Sequence, residues 1–240
     1  MSEDRSVLTR AAREPDEELR YGDHPDQVID YWHAKDYRSL IVFVHGGFWR
    51  PEYDRVHARP LGEALSALGW PVLSLEYRRE PGNPDASTSD VRTALDALPD
   101  LVDVHAGYVL IGHSAGGQLV LWAASTLNPV RCRAVIALAP VADLLQADQQ
   151  GLDKGAVQAF IGGGVRNDLD PVHLPPSIAP VSLIHGLNDT VVPIGITESY
   201  FTAHPTAHFT RVPHCGHYQL IDPLSDAWHE VTTELTRRIG

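Results

Sequence analysis

Cysteine is nearly absent: Cys132 and Cys215 are the only two in 240 residues, so no disulfide framework organises the chain. No stretch approaches the roughly 20 apolar residues that a bilayer-spanning helix needs. Residues 1–20 are rich in charge and contain no apolar signal-peptide core, and a cytoplasmic protein is the expectation. Basic clusters are also missing. Lys and Arg total 19 against 31 Asp and Glu, a formal net charge of −12, which excludes nucleic acid and anionic membranes as partners. The remaining composition, 43% apolar and 21% charged, is that of a globular enzyme with a sizeable core.

The apolar runs are short and regularly spaced. Residues 27–32, 40–44, 71–75, 108–111, 134–138, 180–184 and 207–212 read as strands, several of them continuous enough to be buried on both faces. Between them lie helical patterns. Leu61, Leu65 and Leu68 recur at helical spacing before Gly69. Val91, Ala94, Leu95 and Leu98 follow Ser89 and Asp90, either of which can cap. Residues 115–127 and 226–239 continue the series, and Pro193 can open a further helix. Strands and helices in alternation predict an α/β fold with a mostly parallel central sheet and helices on both faces. Residues 1–20 read as a polar N-terminal arm that packs weakly, and 21–240 as one domain. Segment 143–176 breaks the alternation and is expected to form a small cap or lid.

In open parallel sheets ligands bind beyond the carboxyl ends of the strands, and four such ends carry reactive residues. His45-Gly46-Gly47-Phe48-Trp49 follows one strand and Gly112-His113-Ser114-Ala115-Gly116 another. Asp189 follows 180–184, and His214-Cys215-Gly216-His217 follows 207–212. A glycine-flanked serine between a strand and a helix is suited to a sharp turn that exposes its hydroxyl. Such a hydroxyl needs an imidazole base, which in turn needs a carboxylate to orient it. The chain order Ser…Asp…His is that of α/β-hydrolases.

From about residue 21 onward the sequence resembles the α/β-hydrolase superfamily. His-Gly-Gly-Phe-Trp at 45–49 with Gly-His-Ser-Ala-Gly-Gly at 112–117 is similar to kynurenine formamidase and its esterase and lipase relatives. Esterases with His-Gly-Gly-Gly carry a third glycine where this chain has Phe48, which favours the formamidase-like branch. The resemblance implies a cofactor-free serine hydrolase acting through an acyl-enzyme on a small-molecule acyl amide or ester. Arylformamidase-like activity on N-formylkynurenine is the first reading and short-chain carboxylesterase or lipase-like activity the alternative. A hydrolase-fold binding protein without catalysis stands third.

In this reading Ser114 is the nucleophile, His217 the base and Asp189 the orienting acid, with His214 and Asp143 as competitors for the last two roles. The amides of Gly47, Phe48 and Ala115 form the oxyanion hole. Phe48 and Trp49 are candidate substrate-binding residues. The trio His214, Cys215 and His217 lacks a partner pair elsewhere and is not read as a metal site. His45, His113 and His185 are expected to bond locally and shape their loops, and Glu76-Tyr77-Arg78 to supply an ion pair beneath the site. A homodimer is compatible with the sequence.

Overall fold

The computed structural model describes residues 3–34 and 39–239. Eight strands form one sheet in the order β1-β2-β4-β3-β5-β6-β7-β8. They are β1 (Glu17–Arg20), β2 (Val28–Trp32), β3 (Leu40–Val44), β4 (Val72–Leu75), β5 (Tyr108–His113), β6 (Cys132–Leu138), β7 (Val181–Gly186) and β8 (His208–Val212). The pairs β1/β2 and β2/β4 are antiparallel and all others parallel.

The alternation of side chains along each strand divides the core into two layers. Val42, Val44, Leu73, Leu75, Leu110, Val135 and Leu183 face one side. There they meet α2 (Pro84–Leu101) and α3 (Ala115–Thr126). Ile41, Phe43, Val72, Val109, Ile111, Ile136 and Ile184 face the other. That layer packs on α1 (Arg59–Ala67) and on the helix Trp228–Ile239. Every residue of β3 and β5 is buried, as a sheet covered on both faces requires. Residues 115–125 of α3 are likewise all buried, so this helix is core throughout. Among the described residues no helix is long and apolar enough to cross a membrane.

Helix boundaries depart from the sequence expectation in two places. Leu61 and Leu65 enter the core, whereas Leu68 lies past the end of α1 and is exposed. Helix α2 opens at Pro84 rather than behind Ser89 or Asp90, because proline's fixed φ suits a first helical position and its missing N–H costs nothing there. Asp90 is a buried anchor instead. Its carboxylate accepts the Arg78 amide, the Arg78 guanidinium and the Gln27 side chain at 2.7–2.9 Å.

The N-terminal arm does not pack weakly. Residues 1 and 2 lie outside the described residues, but Val7 is buried in the second core layer, Arg10 grips both carboxylate oxygens of Asp222, and β1 adds an edge strand to the sheet. Segment 143–176 folds into α4 (Leu144–Gln149), α5 (Leu152–Ile161) and a short 3-10 turn (Pro171–His173). The first turn of α5 holds Asp153, Lys154 and Gly155 in left-handed conformations. The helix Gly195–Ala203, here α6, and Trp228–Ile239, here α7, complete the fold. Pro193 precedes α6 by two residues, and its carbonyl accepts the Ile196 amide (2.9 Å).

Candidate active site

Ser114 joins β5 to α3 in one residue, with φ 56° and ψ −116°. An L residue is strained in that region and is kept there by its surroundings. The Ser114 amide donates to the Leu138 carbonyl (2.9 Å), while its own carbonyl accepts from Gln118 and Val141 (3.1 Å each). The flanking glycines serve close approach. A Cβ on Gly112 would strike the Gly116 carbonyl, and one on Gly116 the carbonyls of Val44 and His45. Gly116→Ala is therefore expected to destabilise the fold by about 3 kcal/mol, read as a lower urea midpoint. An unchanged midpoint would contradict the packing of α3 against β3.

His217 and Asp189 come together from the ends of β8 and β7. The carboxylate is an acceptor only, so His217 Nδ1–H donates to Asp189 Oδ2 (2.6 Å), which leaves Nε2 as the basic nitrogen. Asp189 Oδ1 accepts the amides of Val191 and Val192 (2.8 Å each). Its Oδ2 also lies 3.2 Å from His185 Nε2. Burial pushes this carboxyl up, but the His217 charge and the bonds from both histidines outweigh it and hold the group well below the carboxylate range. His214 is exposed, at φ 56°, and the histidines bonded to or paired with Asp189 are His217 and His185.

Asp143 is occupied elsewhere. It caps α4 through the Gln146 amide (2.8 Å) and accepts the Ser199 hydroxyl. Cys215 is buried, and burial with the nearby charges of Asp189 and Glu3 pushes its thiol up to about 12, which makes it inert at neutral pH.

The 45–49 loop turns through three successive positive-φ residues, Gly47 (113°), Phe48 (51°) and Trp49 (54°). Gly47 has no space for a side chain, since a Cβ would meet the Tyr53 ring. His45 bonds locally to the Gly46 carbonyl (2.7 Å), and across to Glu76 Oε1 (3.0 Å) while stacking on Tyr77 (4.6 Å). The ion pair expected beneath the site is real but differently composed: Glu76 pairs with Arg79, and Arg78 pairs with Asp90.

Burial opposes the Glu76 charge, yet His45, Arg79 and the Arg55 amide pull its pKa from 4.5 down to about 2. A depressed carboxyl stabilises the fold fully above its unfolded value of 4.5 and loses that contribution as pH falls toward about 2. Glu76→Gln is thus expected to cost about 3 kcal/mol at pH 7, with the gap to wild type closing between those two values. Urea titrations across that range check it, and a gap independent of pH would refute it.

His113 does not bond locally as expected. It sits 4.5 Å ring to ring from His217 and donates through Nε2 to the His217 carbonyl (3.1 Å). Burial, then the neighbouring His217 charge, depresses its pKa well below the usual histidine value, so it stands neutral against His217. His185 bonds within the loop that follows it, to the Val192 carbonyl (2.9 Å), and also reaches out of it to Thr197 Oγ1 on α6 (2.7 Å).

Ser114 and His217 share one cavity of about 30 Å³, which Gly47, Phe48, Tyr53, His57 and Tyr218 also line. Trp49, expected at the substrate, is instead packed behind it. Its ring stacks on Phe160 (4.4 Å, 11°) and its indole N–H donates to Gln118 Oε1 (3.2 Å). It joins the motif loop to α3 and α5. Five lining residues come from segments with no motif: Arg5 and Leu8 from the arm, Tyr53 and His57 from the stretch after the 45–49 motif, and Asp153 from α5, held by Arg50 at 2.6 Å. Nothing in their local sequence marks them.

Residues 41–169 match the model of the Alpha/beta hydrolase family. Esterase LipC of Mycobacterium tuberculosis is 27% identical over 84% of this chain and 59% of its own length. The probable carboxylic ester hydrolase LipM of the same organism is 26% identical over 75% and 49%. The chain thus spans about half the length of these curated relatives. Esterase B of Lactobacillus rhamnosis superposes with a TM-score of 0.77 at 19% identity, covering 94% of this chain and 87% of that one. With the eight-stranded sheet, the serine turn and a family match over more than half its length, the chain belongs to the alpha/beta hydrolase family.

Proposed function

We propose that this chain is a serine hydrolase of short-acyl carboxylic esters. The carrying observation is that His217, bonded to Asp189 (2.6 Å), lines the same cavity as Ser114. Ser114 Oγ attacks the ester carbonyl carbon as His217 Nε2 takes its proton. The amides of Gly47, Phe48 and Ala115 hold the oxyanion. Collapse expels the alcohol, which receives that proton from His217. Water, deprotonated by His217, then attacks the acyl-enzyme, releasing the acid and restoring Ser114.

Two things support the ester reading. Both curated relatives bear esterase names, and the cavity at Ser114 is small, about 30 Å³, which favours a short acyl group. Side-by-side turnover of p-nitrophenyl acetate, p-nitrophenyl octanoate and N-formylkynurenine tests it. Acetate is expected to exceed octanoate in kcat/KM by at least about tenfold and to exceed the formamide. Octanoate turned over as well as acetate would overturn the short-acyl assignment. The arylformamidase reading keeps one specific support, Phe48 at the cavity wall, and preferred turnover of N-formylkynurenine would establish it instead. Failure of Ser114 to label with a fluorophosphonate would favour a binding protein.

A further inference from the structure

Residues 3–10 reach the site from outside every motif, and Glu3 makes the decisive contact. Its Oε1 accepts the amide (2.7 Å) and hydroxyl (3.0 Å) of Thr190, next to Asp189. Its Oε2 accepts the amide of His217 (2.9 Å). A carboxylate shared by three donors makes charge-assisted bonds, the stronger kind. Gly216 leaves the space for it, since a Cβ there would overlap the Glu3 carboxylate.

Two backbone bonds already join the acid and base loops, from Leu187 to the Val212 carbonyl and from Asn188 to the Cys215 carbonyl (2.9 Å each). Both end short of His217. Among the described residues, Glu3 alone ties the backbone of the base itself to the acid loop. The segment that carries it is anchored to the residues just after His217: Arg5 donates to the Tyr218 hydroxyl (2.9 Å), and Arg10 holds Asp222. On the outer side, a cleft of about 440 Å³ is lined by Glu3, Asp189, Thr190 and Gly216, so Glu3 also stands between solvent and the acid–base pair.

We propose that Glu3 is a positioning residue that clamps His217 in register with Asp189. This rests on the serine-hydrolase reading above. Glu3 touches no substrate, so its effect falls on kcat and not on binding.

The test uses the full chain with Glu3→Ala and Glu3→Gln, active sites counted by fluorophosphonate titration, and p-nitrophenyl acetate as substrate. In Glu3→Ala, kcat per titrated site is expected to fall about tenfold to a hundredfold, the size of effect that ångström-scale misplacement produces, with KM within about twofold. Glu3→Gln, whose one amide oxygen can serve only one of the two loops, is expected to fall between. Fewer titratable sites at unchanged kcat per site would mark a merely structural role and overturn the proposal. If Glu3→Ala fails to fold, the near-isosteric Glu3→Gln decides by the same readout. Wild-type protein that does not label would overturn the serine-hydrolase reading and this proposal with it. A labelled wild type with unchanged variants overturns this proposal alone.

Discussion

Ser114→Ala is expected to lower kcat by about 10⁶-fold, as in other serine triads, with the melting temperature nearly unchanged. The two halves of this expectation have separate causes. In the proposed mechanism the hydroxyl oxygen is the atom that bonds to carbon, and without it the imidazole has only water to activate. The backbone at φ 56° and ψ −116°, by contrast, is as demanding of alanine as of serine, and the bonds that hold it are made by the amide and carbonyl. Steady-state turnover with a thermal melt on the same preparation reads both. Wild-type turnover in the alanine variant would remove Ser114 from the chemistry.

The second large effect is expected at Asp189. Four donors converge on its two oxygens: the amides of Val191 and Val192 on one, His217 and His185 on the other. An asparagine has a single oxygen, so its NH₂ must face one pair of donors. If the oxygen stays with the two backbone amides, the NH₂ faces His217 and favours the tautomer protonated at Nε2. That tautomer cannot accept the Ser114 proton. Asp189→Asn should then cost on the order of 10⁴ in kcat. Asp143→Asn should be nearly silent, because asparagine caps a helix about as well as aspartate. Comparison of kcat for the two variants checks the assignment, and the reverse ranking would move the acid to Asp143.

Much of this arrangement is legible before any coordinate. A strand buried on both faces must be apolar along its length, so β3, β5 and β7 announce themselves. Glycines that no side chain could replace mark the turn at Ser114. Helix ends are less legible, because several residues compete for one role. Asp90 has the chemistry of a cap, yet a guanidinium twelve residues away takes it. Trp49 shows the same limit: its motif places it at a strand end, but where a large ring turns depends on Phe160 and Gln118, far along the chain.

The choice between His217 and His214 belongs to geometry as well. Both follow β8 within a few residues, and only the path of the loop presents one to Asp189 and leaves the other in solvent. Segment 3–10 is the extreme case. Its charges read as solvated because their partners lie more than 180 residues away at Thr190, His217 and Asp222. Periodicity and steric necessity act on neighbours in the chain, which is why most strand positions, the serine turn and the four reactive loops can be read from the sequence alone. Pairing of buried charge acts through space. The occupants of the cavity wall, the placing of His113 against His217 and the Glu3 bonds to Thr190 and His217 were therefore decided only when the sheet brought its strand ends together.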